Sequence, residues 1–231
     1  MPRQFQPKLP IPNTHGGRRK GAGRKNCTGH KAHLSRPKLD GRTPVHVTFK
    51  LVSGLPSLRR KDVFSCLRAA VFKAHTKGLR VVHYAVLANH VHLIVEPTAG
   101  HPRSPLQSLA ISFSKRINSL LNRTGMVLHG RYDFHILKTP TEVRNALAYV
   151  LTNESKHLQT GRSEIYIDPF SSADRFMLWN KVLLENPVLI HRSSSVESIP
   201  ISEAKTWLPR IGWLRAKRTG RNTRAPTSKK H

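Results

Sequence analysis

The chain has 231 residues, room for one ordinary domain with extensions, and carries 40 Lys and Arg against 12 Asp and Glu, a formal net charge of +28. A charge of this size speaks to partners rather than to fold and favours a polyanion, nucleic acid above all. No apolar run approaches the roughly 18–20 residues of a membrane span, the amino terminus lacks the basic-then-apolar order of a secretion signal, and two cysteines are too few for a disulfide framework. The expectation is a nucleic-acid binder of the cytoplasm, associated with the nucleoid and not with a membrane.

Residues 1–42 read as a disordered basic arm, because glycine and basic residues without apolar periodicity bury too little surface to order a backbone. Arg18, Arg19, Lys20, Arg24 and Lys25, spaced by glycines, are candidates to lie along a phosphate backbone; a tail that only adds solubility would have the same composition. Cys27, His30 and His33 offer three zinc-type ligands where structural zinc sites use four, so that run reads as a polar tail.

Regular structure begins near Thr43. Val45, Val47, Phe49 and Leu51 alternate with His46, Thr48 and Lys50, the period of a half-buried strand. Helical spacing of Val63, Leu67, Ala70, Val71 and Ala74 predicts a helix over 59–77, with Gly78 placed to close it. Strands follow over 79–87 and 90–96, joined tightly through Ala88 and Asn89. A loop over 97–105 leads to a second helix, 106–121. Residues 127–137 can supply a fourth strand, weakened or bulged at Gly130. Thr139, Pro140 and Glu142 form a capping box that starts a third helix, expected to run to about His157. The order strand–helix–strand–strand–helix–strand predicts an α+β fold, a ferredoxin-like or RRM-like antiparallel sheet with helices on one face and a further helix after the fourth strand. Residues 161–214 form an accessory region in which Trp179, Trp207 and Trp213 promise packing and 202–217 reads as a helix interrupted at Pro209; 215–231 is a second basic tail.

Two segments carry candidate chemistry. Residues two apart on a strand share a face, so His90 and His92 project together while Val91, Leu93 and Val95 enter the core. Two adjacent imidazoles can hold one divalent ion, although a chain with 14 histidines also yields a His-x-His by chance. On the third helix, Tyr149 and Asn153 are four apart and therefore neighbours, and Tyr149 falls off the apolar stripe of Val143, Ala146, Leu147, Val150, Leu151 and Leu158. Core filler would lie within that stripe; a partly exposed surface tyrosine would not.

His90-Val-His92 on a strand, followed by Tyr149-Val-Leu-Thr-Asn153 on the helix after the fourth strand, resembles the single-tyrosine (Y1) transposases of the IS200/IS605 type. It is still more similar to their relatives associated with repetitive extragenic palindromes, a likeness shared by the segments 84–94 and 130–132. The resemblance implies an HUH endonuclease fold over 43–160 with Tyr149 as catalytic nucleophile and His90, His92 and Asn153 as ligands of Mg²⁺ or Mn²⁺; ligand softness alone would also allow zinc. It further implies single-stranded or hairpin DNA as partner, cut through a 5′-phosphotyrosine and rejoined in transposition, by a monomer or a homodimer. Insertion-sequence members usually carry glutamine where this chain has Asn153, as the palindrome-associated branch often does. Lys115, Arg116, Arg123 and Arg131 are candidate phosphate contacts. The main rival is a non-catalytic nucleic-acid-binding protein, either an RRM-like module or a domesticated hairpin binder. Against the former, the central strand offers histidines where stacking aromatics would stand. A zinc hydrolase is the third reading, without a His-Glu-x-x-His helix to support it.

Deleting Met1 to Leu39 is expected to weaken DNA affinity and flatten its salt dependence while leaving the choice of cleavage site intact. Titration of affinity against salt for the full and shortened chains decides this; equal slopes would show that the arm does not bind phosphates.

Overall fold

The structure, a computed structural model, describes residues 41–96, 103–153, 164–182, 188–191 and 197–216. All of them belong to one unit, 38–231. The arm candidates Arg18, Arg19, Lys20, Arg24 and Lys25, the Cys27–His33 run and most of the basic tail lie outside the described residues.

Strands β1 (Val45–Lys50), β2 (Arg80–Val86), β3 (His90–Glu96) and β4 (Asp133–Ile136) form one sheet in the order β2-β3-β1-β4. Every neighbouring pair is antiparallel. Helix α1 (Lys61–His75) links β1 to β2, α2 (Arg103–Leu120) links β3 to β4, and α3 (Pro140–Leu151) follows β4. This is the split βαβ arrangement that the element order predicts. Period-two alternation sorts the side chains between two cores. Val45, Val47 and Phe49 of β1 join Val91, Leu93 and Val95 of β3 under α1 and α2. Helix α1 closes with Gly78 at φ 87°, where the Leu79 N–H donates to Ala74 O at 3.0 Å and the Gly78 N–H to His75 O at 2.9 Å. That left-handed closure needs a residue without Cβ.

The opposite face of the sheet is covered by α3 and the C-terminal region. Ala85 and Ile94 of the sheet meet Val143, Ala146, Leu147, Val150 and Leu151 of α3, with Phe176, Trp179 and Trp213 completing the cluster. Helices therefore lie on both faces, the tyrosine-bearing one on the second. The C-terminal region also adds a parallel pair, β5 (Glu164–Ile167) with β6 (Val188–His191), and the short helices α4 (Trp179–Val182) and α5 (Trp207–Arg210). Residues 170–172 pair along the free edge of β2, the Val86 N–H donating to Phe170 O at 2.9 Å and the Ser172 N–H to Tyr84 O at 3.0 Å. Arg59 fixes that segment by a two-pronged bond to the buried Asp168, at 2.7 and 2.8 Å.

Two local expectations change. The fourth strand is confined to Asp133–Ile136, while Leu128 makes only an isolated bridge to Leu51. Thr48 faces Asp133 and Leu51 faces Leu128, so the β4 side carries two extra residues, and Gly130 at φ 67° takes the turn that holds them. Helix α3 begins with the expected capping box at Thr139 and Glu142 and spans Pro140–Leu151, and the expected continuation to His157 lies outside the described residues from 154 onward. Thr152 donates both its N–H (3.1 Å) and its hydroxyl (2.6 Å) to Ala148 O, which carries i to i−4 bonding past Leu151, and Asn153 is again helical. At the C terminus, no long helix is interrupted at Pro209. The proline is the third residue of the one-turn α5, where no intrahelical N–H is required, and a 3₁₀ turn follows over Gly212–Arg215. Trp179 and Trp213 are buried as expected, whereas Trp207 is exposed. Among the described residues no helix is long and apolar enough to cross a membrane.

Trp213 is wholly enclosed in the cluster that seats α3. Trp213→Ala should therefore cost about 3–5 kcal/mol of unfolding free energy, read from urea denaturation; a loss under 1 kcal/mol would mean that the cluster does not hold α3.

Candidate active site

The register of β1 against β3 places Thr48 directly opposite His92 and Lys50 opposite His90. On the other side of β1, His46 faces His135 and Thr48 faces Asp133 of β4. All these side chains, with Asn89, line one pocket of about 350 Å³, and Tyr149 reaches it from α3. The Tyr149 ring stands edge-on to two imidazoles, its centroid 5.1 Å from that of His92 and 6.1 Å from that of His46. His90 and His92 are themselves 4.8 Å apart, ring to ring. His90, His92 and Tyr149 thus share one cavity. Tyr149 is half-buried at the margin of the α3 stripe, because the sheet face beneath it carries imidazoles where Val and Leu would continue a core.

His92 is buried, and its two nitrogens differ in surroundings. Nδ1 lies 3.0 Å from Thr48 Oγ1 and 3.2 Å from His46 Nε2, while Nε2 is enclosed without a hydrogen-bond partner. A proton on Nδ1 leaves Nε2 as a buried lone pair; a proton on Nε2 would bury an unsatisfied donor, the costlier arrangement. His90 Nδ1 sits 2.7 Å from Asn89 Oδ1, a carbonyl oxygen that requires N–H on that atom and leaves Nε2 as the acceptor nitrogen. Both rings are therefore in the tautomer that suits cation ligation through Nε2. His46 does not add a third ligand, since its Nε2 is engaged with His92 Nδ1. Among the described residues no three His, Cys, Asp or Glu side chains are arranged to hold a metal by themselves. The donor set fits a hard cation only with oxygen donors beside the two imidazoles. Asn153, buried and with its Nδ2 unpartnered, is an amide near the end of α3 but does not line the pocket.

Burial governs the electrostatics. It pushes His92 down to about 3, with help from His46 and His90, and His46 down to about 4, with help from His135. Both imidazoles are neutral at pH 7, the state in which they can ligate. Burial also raises the Tyr149 phenol above its ordinary value.

The phosphate-contact candidates separate. Arg131 is exposed two residues before the pocket-lining Asp133 but does not itself line the pocket. Lys115 and Arg116 are exposed on α2, in the helical layer against the opposite face of the sheet. Arg123 donates to the carbonyls of Thr124 and Met126, bracing its own turn. Sequence reasoning missed His46, Thr48, Lys50, Asp133 and His135 as pocket residues. Alternation already assigned the first three to the face away from the main core, but only the strand pairing shows that this face meets His92.

No family profile and no curated protein matches the sequence. Among solved structures, the chain is similar to a REP-associated tyrosine transposase bound to a REP hairpin, with a TM-score of 0.50 and 18% identity over 74% of this chain and 100% of that one. A candidate transposase from Deinococcus radiodurans R1 gives a TM-score of 0.35 and 16% identity over 56% and 95% of the two chains. The first likeness shows the fold.

His46, His92 and the partly covered His83, which burial pushes down to about 4, all stay neutral in the folded chain below the 6.5 of a free imidazole. Between that value and about 4 the unfolded chain binds more protons, so stability is fully present above pH 6.5 and is lost as pH falls. Lowering pH from 7.5 to 5, above the ordinary carboxylate range, should reduce Tm by several degrees. The His83→Gln variant should lose less; a Tm independent of pH over this window would contradict the buried neutral state.

Proposed function

We propose that this chain is a metal-dependent single-strand DNA endonuclease and strand transferase, a transposase acting through Tyr149. The observation that carries the reading is the Tyr149 ring 5.1 Å from the His92 ring in a pocket that His90 also lines. The fold shared with a tyrosine transposase supports it, as does the net charge of +28, which suits a polyanionic substrate. On this reading the substrate is single-stranded or hairpin-flanked DNA.

The chemistry is an in-line displacement. Tyr149 Oη forms a bond to a backbone phosphorus, the bond from phosphorus to the 3′ oxygen breaks, and the phenolic proton is lost while the departing 3′ oxygen gains one. The product is a 5′-phosphotyrosine with a free 3′-OH. Because phosphodiester energy is conserved in that bond, attack by another 3′-OH rejoins strands without an external energy source. Burial keeps the Tyr149 phenol protonated at rest, so its proton departs only as the attack proceeds. Thr48 and His46 orient the His92 ring through Nδ1, and Asn89 orients His90 in the same way. On this reading Lys50, which lines the pocket, and the exposed Arg131 take phosphates flanking the scissile one. Mg²⁺ or Mn²⁺ held by His90 and His92, with Asn153 the candidate third donor, would offset charge that builds up on the phosphate oxygens.

Tyr149→Phe removes only the nucleophilic oxygen. It should abolish a covalent adduct with single-stranded DNA in Mg²⁺ or Mn²⁺ while preserving fold and DNA affinity, as followed on denaturing gels and by mass mapping of the modified peptide. His90→Ala and His92→Ala should suppress cleavage by several kcal/mol of barrier. Cleavage by Tyr149→Phe at the parent rate would transfer the role to Tyr132, Tyr166 or activated water. A parent that never forms an adduct on any hairpin-flanked strand would leave a binding protein without chemistry.

A further inference from the structure

A groove lies on the helical layer, on the far side of the sheet from Tyr149. It encloses about 840 Å³ between the outer face of α1, Arg116 of α2, Arg175 and the segment around Ser198 to Ile201. Along α1 its floor runs through Ser65, Arg68, Phe72 and Thr76, one stripe of the helix about 16 Å long. Two features of the stripe are unusual together. Phe72 is 64% exposed, although nothing in the core requires an aromatic there. Four cations, Arg68, Lys73, Arg116 and Arg175, surround it. One carboxylate, Glu197, pairs with Arg68, and Arg175 donates to Ser198 Oγ at 2.7 Å, so the groove wall is pinned to α1 while the balance of charge stays positive.

We propose that this groove is a second nucleic-acid site, which holds single-stranded DNA by stacking a base on Phe72 while Lys73, Arg116 and Arg175 take the flanking phosphates. An exposed aromatic flanked by cations is the chemistry of sequence-tolerant strand binding. Duplex DNA would leave Phe72 without a base face, and the chain's own basic segments are repelled by the like charge. A strand in this groove is on the wrong side of the sheet for Tyr149 of the same chain. The groove therefore tethers DNA outside the scissile segment. The inference takes the DNA-processing reading only for the kind of nucleic acid; its geometry is independent of the tyrosine.

The test uses the full chain carrying Tyr149→Phe, so that nothing is cut, with a fluorescent oligodeoxythymidine as probe. Phe72→Ala should weaken binding about tenfold. Lys73→Gln combined with Arg116→Gln should reduce the log–log salt slope by about 0.7 for each phosphate no longer neutralised. A photo-crosslinking residue in place of Phe72 should label the strand. All three substitutions are at the surface, and thermal melts should be unchanged. Unaltered affinity and slope overturn the proposal, as does a crosslinker that captures no DNA, or sedimentation showing that Phe72→Ala merely splits a dimer. Adduct formation by the chain with Tyr149 intact is scored separately. Loss of affinity in Phe72→Ala without any adduct from the parent would support the groove and refute the cleavage reading; adducts with an indifferent Phe72→Ala would do the reverse.

Discussion

The antiparallel register of β1 on β3 is the constraint on which the pocket depends. With Thr48 opposite His92 and Lys50 opposite His90, three polar side chains of β1 meet two imidazoles of β3 on one face, and Val and Phe residues meet Val and Leu on the other. A slip of one residue would exchange the faces, driving His46 and Thr48 under α1 and lifting Val47 and Phe49 toward α3. The apolar core beneath α1 and α2 therefore specifies the site, although of the residues packed with it only Phe134 lines the pocket. Burial against α3 then makes the arrangement exacting, because an enclosed imidazole without a fixed partner on one nitrogen would have no defined tautomer. Thr48 and His46 supply that partner.

Those same contacts explain why part of the site could be read from the sequence and part could not. His90, His92 and Tyr149 announce themselves by local periodicity, a strand period of two and an off-stripe position on an amphipathic helix. His46 has the same alternation as Thr48 and Lys50, yet it lies far from His92 in sequence, and only pairing shows that they touch. Asp133 and His135 are further removed, because their positions depend on where Gly130 ends the bulge before β4. On α3, apolar spacing does not reveal that Thr152 turns its hydroxyl back onto Ala148.

The C-terminal region is better understood as the second half of the domain than as an appendage. A four-stranded sheet carrying helices on one face alone would expose Ile94 and Ala85 and leave the edge of β2 unpaired. Residues 170–172 pair with that edge, and Ser202 donates to Val81 O at 2.7 Å further along it. The buried Glu96 carboxylate at the end of β3 accepts from the Lys205 and Thr206 backbone and from Arg80, which fastens the returning chain to the sheet. An edge treated in this way cannot recruit another strand. Trp213 and Trp179 then fill the volume between that returning chain and α3.

This construction resolves a tension at the tyrosine helix. A face that displays histidines and threonine instead of Val and Leu offers α3 little hydrophobic grip where Tyr149 must sit. Neutral buried imidazoles also give up hydration that the unfolded chain retains. The grip comes from the flanks. Leu147, Val150 and Leu151 pack into the aromatic cluster, and Glu142 secures the helix start through the capping box with Thr139. Tyr149 is thus held by neighbours that do not line the pocket, which lets the pocket floor remain polar. A large aromatic cluster on the second face is what a sheet needs if it devotes part of that face to chemistry, and a chain lacking one would have to choose between a seated helix and a histidine-lined pocket.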